Sequence, residues 1–426
     1  MKILKKLDKS FFEKVDIDNL SDIDALIKDV RENGDNAIIK YCSQFGDGNF
    51  KSGEDFVVSD DEIKDAVNSL GDELKNAIQT AINNVKEFAK GQLSCIQNLK
   101  MQVESYPNSY LGHKIIPLNS VLAYVPGGNY PLVSSAIMGV IPAKIAGVNN
   151  VYVASPKITK EVIATAFFVG ADKIFKIGGA QAISGFAYGT ETLSKVDKIV
   201  GPGNKYVTYA KKQVYGECGI DFLAGPSEVL VVADDMSDSK IVAADMLAQC
   251  EHDKNARAYL ICESEKFAQD VQKQAEIQLK NLSDIAKYSF EKSICYVSKD
   301  IKEIIDIVNN KAPEHLELLS KESIKNQNKF KNYGSMFIGQ NCAEVFGDYC
   351  SGTNHVLPTN QVAKYKGGLS VFDFIKIQTY QEIDEEYSSV LSKTASILAK
   401  AEGLMAHKLA SDIRNKHNED ENGNNK

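Results

Sequence analysis

Between residues 120 and 235 the chain alternates short β-branched runs with helical stretches, and this rhythm restricts the fold more than any other feature. The strand candidates are Val121–Val125, Asn150–Ala154, Lys173–Ile177, Val196–Val200 and Glu228–Ala233. Helical segments of roughly 10–15 residues separate the first four, which is the spacing of βαβ units. The runs are apolar throughout, so the sheet is parallel and covered on both faces. From residue 237 the alternation resumes: helix 240–252, strand Ala256–Cys262, helix 264–282, strand Ser293–Ser298, helix 300–309. A second α/β unit follows, and its remaining partners are to be sought in the first third of the chain. Residues 1–120 read mainly as helix, with a shorter helical region at 20–45 and an amphipathic pattern running from Asp61 through Ile78, Ile82 and Phe88. Residues 331–362 read as loops around short strands, 380–416 as helix, and the polar tail from Asn415 as disordered.

Charge and cysteine content narrow the function. The 426 residues suit two or three domains, and the net charge of −8 with only three arginines disfavours nucleic acid and anionic membrane as partners. Eight cysteines without a CxxC pair indicate a reduced, cytoplasmic protein rather than a disulfide scaffold or an all-cysteine zinc site. Met1–Asp8 is charged and lacks the apolar stretch of a signal peptide, and no apolar run reaches the ~18 residues of a membrane span. Six histidines are a short list from which any imidazole chemistry must draw.

Three glycine turns close strands of the first sheet: Pro126-Gly127-Gly128, Gly178-Gly179-Ala180-Gln181 and Gly201-Pro202-Gly203-Asn204. Glycine there lets the backbone approach a ligand, and a following helix offers N–H groups to an anion. None is GxGxxG, and the second strand ends Ala154-Ser155-Pro156 without an acid for a ribose, so the dinucleotide fingerprint fails. A phosphate-bearing ligand and ordinary tight βα turns both fit.

Four further segments carry acids, amides and imidazoles. Gln249 and His252 share a helix face at i,i+3, which could serve a metal, although taken alone the segment reads first as a polar helix end with His at the negative terminus. Ala312-Pro313-Glu314-His315 reads as a helix start or as an acid–base pair, and in a regular strand its two side chains would diverge, so joint action needs irregular backbone. In Gly347-Asp348-Tyr349-Cys350-Ser351-Gly352-Thr353-Asn354-His355 the histidine has no apolar face to pack on, and Asp348 is a hard ligand. Glu402 and His407 lie about 140° apart on a last helix, where a surface role suffices.

Together with these segments, YVPGG (124–128), IPAKIAGV (141–148), GGAQAI (178–183), YGTET (188–192), VDKIVGPGNKYV (196–207), AGPSEVLV (224–231), AQCEH (248–252), PEHLE (313–317), GDYCSGTNHVLPT (347–359), GGLSVFDF (367–374) and AHK (406–408) resemble, in order, the signature blocks of histidinol dehydrogenase. The resemblance spans roughly residues 20–415. It implies a zinc-dependent homodimer that oxidises L-histidinol to L-histidine through the aldehyde with two NAD+, the last step of histidine biosynthesis. The implied fold is two incomplete Rossmann-like parallel-sheet domains with small N- and C-terminal helical extensions that mediate dimerisation. The expected division is 1–20 as N-terminal extension; 21–119 with 228–368 as the domain carrying metal and catalytic residues; 120–227 as the NAD domain; 369–415 as the dimerisation segment; and 416–426 as a disordered tail.

The resemblance also implies roles. Zinc, one ion per subunit, would be held by Gln249, His252, Asp348 and His407, the last from the partner subunit. Glu314 and His315 would be the catalytic pair. Ser227, His355 and Glu402 would contact substrate together with His315 and the zinc ligands, and Tyr124, Gln181 and Asn204 would bind NAD. Water activated by Glu314, rather than the thiols of Cys250 or Cys350, would attack the aldehyde. A paralogue oxidising another small polar alcohol, and a zinc hydrolase without a nucleotide, are the competing readings.

Overall fold

The structure is a computed structural model that describes residues 1–7, 9–12, 14, 20–127 and 131–415. Gly128 and the expected disordered tail, 416–426, lie outside the described residues. In chain order the strands are β1 (Lys2–Leu4), β2 (Leu99–Val103), β3 (Tyr106–Pro117), β4 (Ser120–Tyr124), β5 (Asn150–Ala154), β6 (Lys173–Phe175) and β7 (Lys198–Val200). They continue as β8 (Gly219–Ile220), β9 (Glu228–Val232), β10 (Arg257–Cys262), β11 (Ile294–Val297), β12 (His315–Leu318), β13 (Ser335–Ile338) and β14 (Ile375–Glu382). The chain forms two compact units: Met1–Leu93 with Leu118–Phe374, and Ser94–Pro117 with the residues from Ile375 on.

The first unit holds two parallel sheets, of order β6-β5-β4-β7-β8 and β1-β11-β10-β9-β12-β13. The α/β class, with two incomplete Rossmann-like sheets, is as the sequence indicates. In the six-stranded sheet the period of two sends Val229, Val231, Leu260 and Cys295 to one face, against helices Ser239–Cys250 and Glu265–Gln278. Leu230, Val232, Ile261 and Leu316 face the other way, onto helix Ile301–Lys311. The partner found in the first third of the chain is β1, which pairs with β11.

The structure departs from the sequence reading in three places. Helix Ser21–Phe45 packs Ile23, Leu26, Val30 and Ile38 onto Leu122, Phe175 and Phe186 of the five-stranded core, not onto the six-stranded one. The helices that follow β6 and β7 leave apolar surface on that face, and shape complementarity rather than chain proximity decides where an amphipathic helix docks. Residues 99–117, expected as helix, form the hairpin β2–β3, which pairs antiparallel with β14 in the second unit. Most of β2 is exposed and most of β3 only half-buried, so no apolar alternation marks the hairpin in the sequence. The C-terminal region is not one helix over 380–416: it opens with β14 and continues as helices Glu385–Ala401 and Met405–Asp412.

At the carboxyl end of β7, Gly201 has φ +112°, and a Cβ there would lie 2.1 Å from the Tyr124 carbonyl oxygen. Gly170 has φ +83° with no atom near its absent Cβ. Gly201→Ala is therefore expected to destabilise by about 1–3 kcal/mol of overpacking on top of the backbone cost, lowering the thermal midpoint more than Gly170→Ala. Equal shifts would mean that backbone conformation, and not close approach to Tyr124, sets this turn.

Candidate active site

The predicted catalytic and metal residues of the first unit meet at the amino ends of strands in the six-stranded sheet. Helix Ser239–Cys250 runs antiparallel to its strands, so its last turn returns Gln249 to that edge. His252 lies just beyond the helix, which ends at Cys250, so the two residues are not successive turns of one face as the spacing suggests. Asp348 stands on a short helix, Glu344–Tyr349, rather than in the loop the sequence indicates. Ala312 has φ +50° and Pro313 follows it, supplying the irregular backbone that Glu314 and His315 need to share a site. β12 starts only at His315.

Glu314 and His315 are both buried, with Glu314 Oε2 3.7 Å from His315 Nδ1. Both side chains rest on one peptide. The Glu228 N–H donates to Glu314 Oε2 at 2.8 Å, and the Glu228 carbonyl lies 3.3 Å from His315 Nδ1. A carbonyl only accepts, so Nδ1 carries the proton. His315 Nε2 lies 3.4 Å from Asp348 Oδ1 and has no hydrogen bond among the described residues. His252 Nε2 is 3.8 Å from Asp348 Oδ2. His355 donates from Nδ1 to the Asp348 carbonyl at 2.7 Å, and its Nε2 is 3.5 Å from Ser135 Oγ on helix Val133–Ala146, which follows the first glycine turn. Ser227 directly precedes Glu228. Hydrogen-bond partners orient the Gln249 amide: the nitrogen donates to Glu344 Oε1 at 2.5 Å and the oxygen accepts from the Glu228 N–H at 3.2 Å.

Glu344 is the residue the sequence reading missed. It is fully buried, and its ligand atom lies within 4.8 Å of those of His315 and Asp348. Its position four residues before Asp348 on a helix was a usable signal. Its N–H donates to Glu317 Oε1 at 3.2 Å, which places another buried carboxyl on β12. Burial pushes Glu314 and Glu344 up to about 8. Burial alone would lower His315, but Glu344, Glu314 and Asp348 outweigh it and raise it well above its ordinary value. Glu344 Oε2 and Glu317 Oε2 also have no partner among the described residues. Buried acids with orphaned oxygen and nitrogen atoms, in an N/O donor set, fit a divalent cation, which would offset their charge.

The NAD candidates occupy a different edge, the carboxyl ends of the five-stranded sheet. Tyr124 ends β4, and its hydroxyl accepts the Gly179 N–H at 3.1 Å; burial pushes that hydroxyl up to about 12. Gln181 donates to Asp47 Oδ2 at 2.9 Å, and its buried Oε1 has no partner among the described residues. Asn204 caps helix Lys205–Val214 through Oδ1. Glu402 and His407 belong to the second unit and are exposed. The helix breaks between them at Gly403 (φ +75°), so no single helical angle relates the two.

A family model described as histidinol dehydrogenase matches residues 12–415. The chain belongs to the histidinol dehydrogenase family. It is 41% identical to the histidinol dehydrogenase of Methanocaldococcus jannaschii, covering 94% of this chain and 92% of that protein. It is 38% identical to a Shouchella clausii protein named as a histidinol dehydrogenase homolog, covering 92% of each. The crystal structure of histidinol dehydrogenase from Elizabethkingia anophelis superposes with a TM-score of 0.91 at 34% identity, covering 98% of each chain. This member of the histidinol dehydrogenase family is accordingly an NAD-dependent oxidoreductase.

Removing the Glu344 acceptor frees the Gln249 amide to rotate. Glu344→Ala is expected to weaken divalent-cation binding by about 10–100-fold, measured by competition with a chromophoric chelator. Unchanged affinity would show that Gln249 is oriented without Glu344.

Proposed function

We propose that this chain oxidises L-histidinol to L-histidine through L-histidinal, with two NAD+ as hydride acceptors and one zinc ion per subunit, as the last step of histidine biosynthesis. The observation that carries the reading is the buried Glu314–His315 pair, set on one peptide and facing Asp348. Alcohol plus water becomes carboxylate with loss of two hydrides and three protons, so the chain must supply groups that take protons at fixed places. His315, with its Nδ1 proton held by the Glu228 carbonyl, would present Nε2 as the base for the substrate hydroxyl once a bound cation offsets the carboxylates that otherwise keep it protonated. Glu314, raised towards neutrality by burial, can accept a proton from the water that attacks the aldehyde carbon. Cys250 is a poor rival nucleophile: it is fully buried and its thiol is pushed up by desolvation.

Gln249, His252 and Asp348 would hold zinc from this chain, with His407 of the partner subunit completing the set. When bound, the ion supplies a fixed positive charge that orients the imidazole and amino nitrogens of the substrate. Ser227 and His355, with Glu402 of the partner subunit, are assigned to the substrate; Tyr124, Gln181 and Asn204 are assigned to NAD. His355 supports this assembly because it bonds Asp348 and approaches the helix after β4 at once. A homodimer is supported by the exposed apolar side chains of Ile397, Leu398, Leu404, Met405, Leu409 and Ile413 on the C-terminal helices. A cytoplasmic location is supported by eight free cysteines. The second reading is a paralogue acting on another small alcohol, which the homolog designation of the Shouchella clausii relative keeps open.

Two NADH per L-histidinol are expected from purified protein with excess NAD+, abolished by a chelator and restored by zinc. One NADH would mean that the aldehyde escapes and Glu314 is misassigned; none, with zinc bound, would favour the paralogue. Subunit sharing has its own assay. Glu314→Gln and His407→Ala chains, each inactive alone, are expected to regain about one quarter of wild-type sites when co-expressed, because half the dimers are mixed and each mixed dimer rebuilds one site. No recovery would place His407 in the site of its own chain.

A further inference from the structure

Resting on the function proposed above, we infer that the buried Lys311–Glu228 ion pair positions Glu314 and His315. Lys311 ends helix Ile301–Lys311, three residues before Glu314. Its Nζ lies 2.9 Å from Glu228 Oε2, donates to the Tyr259 hydroxyl at 3.1 Å, and stands 4.2 Å from the Tyr259 ring centroid. The side chains of Lys311 and Glu228 are 3% and 7% exposed.

Stability alone does not account for such a pair, since well-packed apolar residues of similar volume usually serve as well. Its location does. The turn 311–315 leaves regular backbone at Ala312 and Pro313. On one side main-chain bonds fix it: Gly334 N–H donates to the Pro313 carbonyl and Ser335 N–H to the Glu314 carbonyl, each at 2.9 Å. On the other side the ladder between β9 and β12 begins only at Val229, opposite His315. Glu228, whose N–H and carbonyl hold the two catalytic side chains, therefore lies before the first paired residue of that ladder. The ion pair adds a side-chain tie to these main-chain ones. It joins the residue that carries both anchoring groups to the turn that carries both anchored side chains. Lys311 touches neither of the catalytic side chains, so it is a positioning residue.

The test uses the zinc-loaded full chain carrying Lys311→Met, which keeps the apolar stem and removes the charge, and Glu228→Asp, which keeps both charges but shortens the reach. Displacement of reacting groups by about 1 Å can cost on the order of 100-fold in rate. At least a tenfold fall in kcat is expected, with KM for NAD+ and zinc affinity within twofold of wild type. In 15N-histidine-labelled protein, where six histidines keep the spectrum simple, the His315 Nδ1–H bonded to the Glu228 carbonyl is expected to exchange with solvent at least tenfold faster in the variants. Wild-type kcat with unchanged exchange in either folded variant would overturn the inference. So would a fall in kcat accompanied by weaker zinc and NAD+ binding, which would report general loosening. If Lys311→Met does not accumulate as folded protein, Glu228→Asp decides. If wild type makes no NADH from L-histidinol, the functional reading falls, while the exchange measurement still judges the pair.

Discussion

The site depends on one peptide group at the amino end of β9. Two ionisable side chains can be buried side by side only if each finds a fixed partner, because an unpaired buried charge or dipole is costly. Glu228 supplies both partners, its N–H for Glu314 and its carbonyl for His315, and the same N–H is shared with the Gln249 amide oxygen. These groups stand at the edge of the β9–β12 ladder, whose first paired residues are Val229 and His315. The proton position on His315, the separation of Glu314 from His315 and the rotamer of Gln249 thus follow from where a strand pairing begins.

The residues proposed for NAD and the acid, amide and imidazole cluster lie at opposite ends of their sheets' strands. Ligands of open parallel sheets usually collect at the carboxyl ends of strands, and the glycine turns after β6 and β7 follow that rule. The acid, amide and imidazole cluster does not, for it stands at the amino ends of β9 and β12. The topology accounts for this. The chain leaves the carboxyl end of β8 at Ile220 and enters the amino end of β9 at Glu228, so residues 221–227 carry it directly from one edge to the other. Gly225 is tied there by its N–H to Thr359 Oγ1. Asn354, one residue before His355, donates to the Met138 carbonyl in the five-stranded part.

Much of this was legible in the sequence, and the exceptions have physical reasons. Asn150–Ala154 was read to the residue, because a strand buried on both faces leaves an unbroken apolar run. The need for irregular backbone at Pro313 was also legible, from the alternation a strand would impose on Glu314 and His315. The β2–β3 hairpin was not: its exposed residues carry no apolar period, and its Glu104-Ser105 turn lacks a glycine signature. Helix Ser21–Phe45 was recognisable as a helix but not assignable to a sheet, since an amphipathic stripe does not name the surface it covers. Glu228 acts through main-chain atoms that every residue possesses, so no side-chain pattern could point to it. Lys311 lies just past the helix read over 300–309, and only the fold brings it to Glu228.

The clustering of acids also bears on why this site suits a cation and the sheet cores do not. The faces of both parallel sheets are apolar, and their burial needs no polar compensation. At the amino edge of β12 the reverse holds: Glu314, Glu317, Glu344 and Asp348 are buried within reach of one another. Burial raises Glu314, Glu317 and Glu344 towards the protonated form. A metal ligand must be deprotonated, so an ion entering this cluster would displace protons and hold the donors in the ionised form. Metal and base would then be coupled: a positive charge held here would also set how many protons the surrounding acids retain.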